Sequence, residues 1–206
     1  MGLVVKESGQ DYEPIPEGTH HAVCYRIWDI GTQPGGQWEP KRQILIAWEL
    51  PEIRIEVENK DLPKSISRRF THSLHKKSAL RPFLEMWRGK KFTEDELVGF
   101  NLDNVISANC MIQIMHKDSN GKTYANITAA LPLMRGYDKR EPENSTLCWS
   151  LEEKTPIPEE TPDWIEKLIK ASEEWKAYET EVWADPEPKP GPGPDQEQEF
   201  DDDIPF

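Results

Sequence analysis

Apolar stretches rich in strand-forming residues and bounded by Gly- and Pro-containing turns recur along the first 130 residues, and they predict a protein built mainly of strands. Pro51 ends the second apolar stretch, and Asn120-Gly121 favours the tight turn of a hairpin between the last two. The predicted strands span 20–30, 42–50, 64–73, 104–117 and 122–130. In the fourth strand, alternation predicts one buried face formed by Ile106, Ala108, Cys110, Ile112 and Ile114.

Helical patterns interrupt the strands between 73 and 104. Leu80, Phe83, Leu84 and Trp87 have the i, i+3, i+4, i+7 spacing of a helix with one apolar face, which Ser78 could cap. Thr93 and Glu96 have the spacing of a capping box and predict a second, short helix that stops at Gly99. The order β-β-β-α-β-β is that of an OB-fold, a five-stranded Greek-key barrel, with a helical insertion before the last hairpin.

A last helix is predicted to begin at Thr161-Pro162. Two readings of its apolar stripe stay open: packing on the chain's own barrel, or a seam to a second copy or a partner helix. The stripe consists of Trp164, Leu168, Ala171, Trp175, Tyr178 and Val182. We therefore divide the chain into an OB-fold domain at 1–150, an amphipathic helix region at 151–183 and a disordered, acidic, Pro- and Gly-rich linker with a partner-binding tip at 184–206.

Charge is distributed unevenly along the chain, whose formal net charge is −13. Residues 141–206 hold 5 basic and 20 acidic residues, whereas residues 60–91 hold ten Lys and Arg against two acids. A basic stretch and an acidic tail in one chain favour nucleic acid as a partner.

Single-stranded nucleic acid requires cations for its phosphates and flat rings on which unpaired bases stack. Trp38 follows a Gly-rich turn, so we expect its ring to be exposed in a loop. Arg68 and Arg69 are adjacent on a strand and must point to opposite faces. For Trp28 and Trp48, core packing is the alternative to base contact. The candidate DNA-binding residues are Tyr25, Trp28, Trp38, Lys41, Arg42, Trp48, Arg68, Arg69, Phe70, Lys76, Lys77, Lys122 and Tyr124.

Enzymatic chemistry has little support in the sequence. His72 and His75, or His20, His21 and Cys24, give no complete tetrahedral ligand set, so we expect no metal and no cofactor. Phosphate-binding loops and nucleophile motifs are missing, and the carboxylates are plentiful only in the tail. We expect a binding protein rather than an enzyme. With three cysteines, no signal-like start and no apolar run of membrane length, we expect it to be soluble and cytoplasmic.

The chain ends in Phe200 and then in Asp201, Asp202, Asp203, Ile204, Pro205 and Phe206. An apolar end with a free carboxylate after three acids can enter a small pocket that has a basic rim on a partner. DDDIPF resembles the C-terminal tip of bacterial single-stranded DNA-binding proteins. GTHHAVCYRIWDIGTQ, KSISRRFTHSLHKKSALRPFLEMWRGKKFTEDELVGFNL and NGKTYANI resemble phage-encoded OB-fold proteins that bind single-stranded DNA. The resemblance implies that the tip recruits replication, recombination or repair proteins of the host.

The resulting hypothesis is a non-catalytic protein that coats single-stranded DNA with little sequence preference. Because one fold covers only about 4 to 16 nucleotides, cooperative or oligomeric binding is expected. The tethered acidic tail is expected to occupy the basic groove when DNA is absent. Three alternatives stay open: a DNA mimic that sequesters a host factor, a recombination accessory protein that anneals strands, and, remotely, a nuclease.

Overall fold

Six strands and four α-helices make up the part of the chain that the computed structural model describes, residues 13–57 and 59–183. The strands are β1 (Gly18–Gly35), β2 (Trp38–Val57), β3 (Lys60–Thr71), β4 (Asn109–Ser119), β5 (Lys122–Pro132) and β6 (Leu147–Trp149). The helices are α1 (Leu80–Arg88), α2 (Glu94–Val98), α3 (Asp163–Ala171) and α4 (Glu173–Trp183), and 3₁₀ turns lie at Leu102–Val105 and Leu151–Glu153.

The first five strands form one antiparallel sheet in the order β3-β2-β1-β4-β5, and β6 pairs in parallel with β1. All five predicted strands are present. β2 continues past Pro51, where the sequence predicts its end, because the β2–β3 register shifts between Leu50 and Arg54 and so accommodates the proline at an irregularity. The fourth strand begins only at Asn109, and Ile106 and Ala108 pack against the core from the loop before it.

The inner face of the sheet packs on α1 and forms the inner core. Ala22 and Cys24 of β1 meet Ile44, Ile46 and Trp48 of β2 there, together with the apolar side of α1. Phe83 and Trp87 of α1 place their ring centroids 5.8 and 5.5 Å from that of Trp48. The predicted spacing of apolar residues on α1 is confirmed, since Leu80, Phe83, Leu84 and Trp87 are all buried.

Two local predictions of turn and cap chemistry are confirmed. Thr93 and Glu96 form a complete capping box at the start of α2. Asn120 and Gly121 both have positive φ in the β4–β5 turn, the backbone conformation that this dipeptide favours. Ser78 does not cap α1, because the residue at the N-cap is Ala79, although the Leu80 amide donates to Ser78 Oγ over 3.3 Å.

The outer face of β1 and β2 is covered by the C-terminal part of the described chain. Tyr25, Trp28 and Leu45 of the sheet pack against Ile165 and Ile169 of α3 and form the outer core. The predicted single helix is two helices, because Ser172 is extended and sits against Gly31. The predicted stripe is therefore only partly correct: Trp175 is buried, whereas Trp164 and Ala171 are exposed.

The two edge strands of the sheet face each other. Arg68 Nη1 of β3 donates to the carbonyl oxygen of Thr128 in β5 over 3.2 Å. Three residues earlier on each strand, Ser65 and Ala125 line the same groove, so β3 and β5 run side by side in one direction. Within the described residues no hydrogen-bonded ladder joins them. The protein is thus mainly β, with a curled sheet of barrel-like form.

Candidate nucleic-acid interface

An open groove of about 320 Å³ lies on the outer side of the β3–β5 edge, and we call it the seam groove. The residues that line it come from the sheet and from the start of α3: Tyr25, Trp28, Ala47, Ser65, Ile66, Ser67, Ala125, Pro162, Trp164 and Ile165. Its surface therefore combines rings, hydroxyl groups and small side chains.

The floor of the seam groove is aromatic and rigidly held. Trp28 donates from Nε1 to Thr161 Oγ1 over 3.2 Å. The Arg26 guanidinium lies 5.4 Å from the Tyr25 ring centroid and 5.9 Å from that of Trp28, and it pairs with the Glu160 carboxylate. Burial raises the pKa of Tyr25, while the Ser65 hydroxyl and the Arg26 charge act in the opposite direction. The phenol is thus a neutral hydroxyl at pH 7.

The side chains of β3 divide between the two faces, as the sequence predicts for Arg68 and Arg69. Arg69 pairs with Leu45 of the outer core, whereas Arg68 pairs with Ile46 of the inner core. Ser65, Ser67 and Arg69 therefore share the outer face beside the groove. Arg69 is exposed and makes no ion pair or hydrogen bond with the described part of the chain.

Arg68 lies half-buried between the two edge strands β3 and β5. Its guanidinium is 4.8 Å from the Phe70 ring centroid and 5.0 Å from that of Phe83. Burial lowers the pKa of this guanidinium, which still remains cationic at neutral pH. Arg68 thus braces the two edge strands and is half-buried, whereas Arg69 is exposed.

Four of the predicted stacking residues are core residues, which corrects the prediction for them. Trp48 and Phe70 lie in the inner core, where the rings of α1 cover them. Tyr25 and Trp28 lie in the outer core under α3 and reach the seam groove only as its floor. A ring with 1% of its surface exposed, as for Trp28, has no free face for a base.

The prediction that Arg42 contacts DNA is also corrected, because its charge is paired within the protein. Its guanidinium pairs with the Asp29 and Glu152 carboxylates. The hydrogen bonds that Arg42 donates to the Asp29 carboxylate are the main reason that the pKa of Arg42 is raised. A guanidinium that already pairs with two carboxylates would have to break these ion pairs before it could bind a phosphate.

The other predicted contact residues are exposed and lie at several places around the sheet. Trp38 is 78% exposed and Lys41 is exposed beside it, at the tip of the β1–β2 hairpin. Tyr124 is 49% exposed next to Ala125, and Lys122 begins β5 at the opposite hairpin. Lys76 and Lys77 are exposed in the loop between β3 and α1. Of the predicted contact residues, only Tyr25 and Trp28 line the seam groove, and Arg69 lies beside it on the strand face that Ser65 and Ser67 share.

Among the groove residues that were not sequence candidates, Ser65 and Ser67 carry hydroxyl groups and Trp164 carries an exposed ring. The serines alternate with Ile66 and so share one strand face, which is a signal that the sequence does contain. Trp164 belongs to the predicted helical stripe, and only the break at Ser172 with the burial of Ile165 shows that it faces outward.

Groups with catalytic chemistry are buried or scattered in the described residues. No cluster of three or more His, Cys, Asp or Glu there could hold a metal ion. The three thiols are free; burial raises the pKa of Cys148 to about 12, with Asp103 adding to the shift, and burial also raises the pKa values of Cys24 and Cys110. At pH 7 all three are protonated and poorly nucleophilic.

No protein-family model matches the chain, and no curated protein matches it. Within the described residues, no helix has both the length and the apolar character needed to cross a membrane. The predicted partner-binding residues Asp201, Asp202, Asp203, Ile204, Pro205 and Phe206 lie outside the described residues, as does the linker before them.

Proposed function

We propose that this protein binds single-stranded DNA without sequence preference and is not an enzyme. Under this proposal the strand crosses the seam groove on the outer side of β3. The observation that carries it is an open groove lined by two serines and by the exposed ring of Trp164, with the unpaired Arg69 next to it on the same face of β3.

The fold supports the proposal. We infer that the curled sheet is an OB-fold, because β3 and β5 are its facing edges and α1 lies between β3 and β4 in the chain. Such barrels bind oligonucleotides across the face of their second and third strands and between the β1–β2 and β4–β5 loops. Here those loops carry Trp38 with Lys41, and Lys122 with Tyr124.

Charge supports it as well. Cations that have no partner within the protein can release counterions from phosphates, whereas paired cations cannot do so without first breaking a bond. Arg69, Lys41, Lys76, Lys77 and Lys122 are exposed and have no ion pair with the described residues. These cations would hold the DNA backbone while the exposed rings of Trp38 and Tyr124 contact the bases.

Binding of fluorescently labelled oligo-dT, compared with duplex of equal length across a salt series, tests the proposal. We expect tighter binding of the single strand and a log–log slope that becomes shallower by about 0.7 in Arg69→Ala, the value of one phosphate contact. Lys139→Ala is the matched control, because it removes one exposed cation from the loop between β5 and β6. This variant should keep the wild-type slope. Equal affinity for duplex, or an unchanged slope in Arg69→Ala, contradicts the proposed site.

Exposed Trp38 offers a second test at the hairpin tip. Trp38→Ala should weaken oligo-dT binding by about 1 to 3 kcal/mol, the usual value of one stacked base, and leave the free energy of unfolding unchanged. Full affinity in this variant would remove the hairpin tip from the interface.

We further propose that residues 201–206 recruit replication, recombination or repair proteins of a host cell. Three acids followed by Ile-Pro-Phe suit a small apolar pocket with a basic rim. Retention of such proteins from a bacterial extract should be lost in Phe206→Ala, whereas Gln198→Ala should retain them. Equal retention by both variants argues against this role of the tip.

A further inference from the structure

Trp164 has an unusual combination of exposure and rigidity. Its side chain is 48% exposed, although tryptophan is highly buried on average. The next residue, Ile165, is 1% exposed and packs in the outer core, as does Ile169 one turn later. The helix therefore cannot rotate to bury the Trp164 ring without withdrawing these two side chains from the core.

The segment just before α3 is fastened to the sheet as well. Arg26 Nη1 donates to the carbonyl oxygen of Glu160 over 2.8 Å, and Thr161 accepts the bond from Trp28. The backbone at Trp164 is thus held at a fixed place beside the seam groove. A ring that projects from a fixed backbone loses less freedom when a ligand stacks on it than a ring on a mobile segment does.

Opposite Trp164 the groove has small side chains. Ser65, Ser67 and Ala125 line it there, and they leave an open space between α3 and the edge strands. A volume of about 320 Å³ lies at the lower end of small-molecule pockets, which span about 300 to 1,000 Å³. It suits one or two unpaired bases, while a duplex keeps its bases stacked inside.

Cations flank this space on both sides. Arg69 lies two residues beyond Ser67 on the same face of β3, and Lys167 lies one helical turn beyond Trp164 on α3. Both are exposed and without an ion pair in the described chain. Three acids are also near: Asp163 is exposed beside Trp164, Glu166 pairs with Lys170, and Glu160 pairs with Arg26.

We propose that Trp164 is a base-stacking residue and that α3 forms one wall of the nucleic-acid site, so that unpaired bases insert between α3 and β3. This inference rests on the proposed binding of single-stranded DNA. It makes the C-terminal helix region a part of the binding surface rather than only a cover for the outer core.

The test compares oligo-dT with an abasic strand of the same length, using the wild-type chain, Trp164→Ala and Trp164→Phe. Wild type should prefer oligo-dT, and Trp164→Ala should bind it about 5- to 150-fold more weakly, as expected for one lost stack. Trp164→Ala should bind the abasic strand as wild type does, because phosphate contacts remain. Trp164→Phe should recover most of the affinity.

The outcomes separate this inference from the function on which it rests. If wild type binds neither strand, the proposed function fails. If wild type prefers oligo-dT and Trp164→Ala binds both strands like wild type, the function stands and the stacking role is overturned. If Trp164→Ala loses affinity for both strands equally, with a lower urea midpoint, Trp164 has only a structural role and the inference is again overturned.

Discussion

Arg68 of β3 joins the two edges of the sheet by donating to the carbonyl oxygen of Thr128 in β5. Within the described residues no backbone hydrogen bonds pair β3 with β5, so a side-chain hydrogen bond connects the two strands instead. Because the same guanidinium also lies over Phe70 and Phe83, it links the edge strands to the inner core.

Arg68→Ala should therefore destabilise the protein, whereas Arg69→Ala should not. Loss of the hydrogen bond and the ring contacts is expected to lower the free energy of unfolding by about 1 to 3 kcal/mol. Arg69→Ala, one residue away on the solvent side, should stay within about 0.5 kcal/mol of wild type. Urea unfolding measures both, and equal values for the two variants contradict a bracing role for Arg68.

Gly31 is a second position at which the structure makes a sharp prediction. Its φ is +67°, and a Cβ there would lie 2.5 Å from Ser172 Cβ. Gly31→Ala should lower the free energy of unfolding by more than about 2 kcal/mol, because the strain of a left-handed alanine adds to the clash with Ser172 at the α3–α4 junction.

Gly36→Ala is the matched control for Gly31→Ala. Its φ of +65° is nearly the same, but an added Cβ would meet no atom within 4 Å. It should therefore show only the backbone strain, about 1 kcal/mol. If the two variants have the same unfolding midpoint, the close approach of Ser172 to Gly31 does not contribute.

Stability should depend on pH through Glu160. The Ser145 hydroxyl and then the Arg26 charge lower the pKa of this carboxylate from its ordinary value of 4.5. A carboxylate with a lowered pKa in the folded state stabilises it fully above its unfolded pKa. That contribution is lost as pH falls below 4.5 and through the folded value.

Glu160→Gln tests this dependence. The variant should melt at a lower temperature than wild type at pH 7, and the two melting curves should converge as the pH falls below 4.5. Glu159→Gln, an exposed neighbour without an ion pair in the described residues, should follow wild type throughout. A difference between Glu160→Gln and wild type that stays constant down to pH 3 would contradict the linkage.

The acidic tail should compete with DNA for the basic surface. Residues 184–206 contain eight acids and one lysine, and a tether keeps their charge near the cations at high local concentration. Truncation before Ala184 should tighten oligo-dT binding at low salt and have little effect at high salt, where screening is strong. A full-length chain with the eight acids changed to Asn or Gln should behave like the truncated one. If only truncation tightens binding, bulk rather than charge is responsible.

The spacing of apolar residues and the turn chemistry predicted the local elements because both depend on near neighbours. The five strands, α1, the Thr93–Glu96 capping box and the Asn120-Gly121 turn all follow from spacing within a few residues. β6 was missed, because three residues show no period and their pairing with β1 is determined by distant contacts.

Burial of the rings could not be predicted in the same way. Period two assigns residues to faces, but both faces of β1 are covered, and residues 21–31 are buried without exception. What covers Tyr25 and Trp28 lies more than 130 residues away, in α3. The sequence therefore predicted correctly that Arg68 and Arg69 lie on opposite faces, but it could not decide between core packing and exposure for Trp28, which is buried.

The covering of the outer core by α3 and α4 has a consequence for biosynthesis. A ribosome releases β1 and β2 well before these helices, so the nascent sheet exposes Tyr25, Trp28 and Leu45 to solvent until the remaining chain is translated. A translational pause before residue 160 would prolong this exposure and promote aggregation.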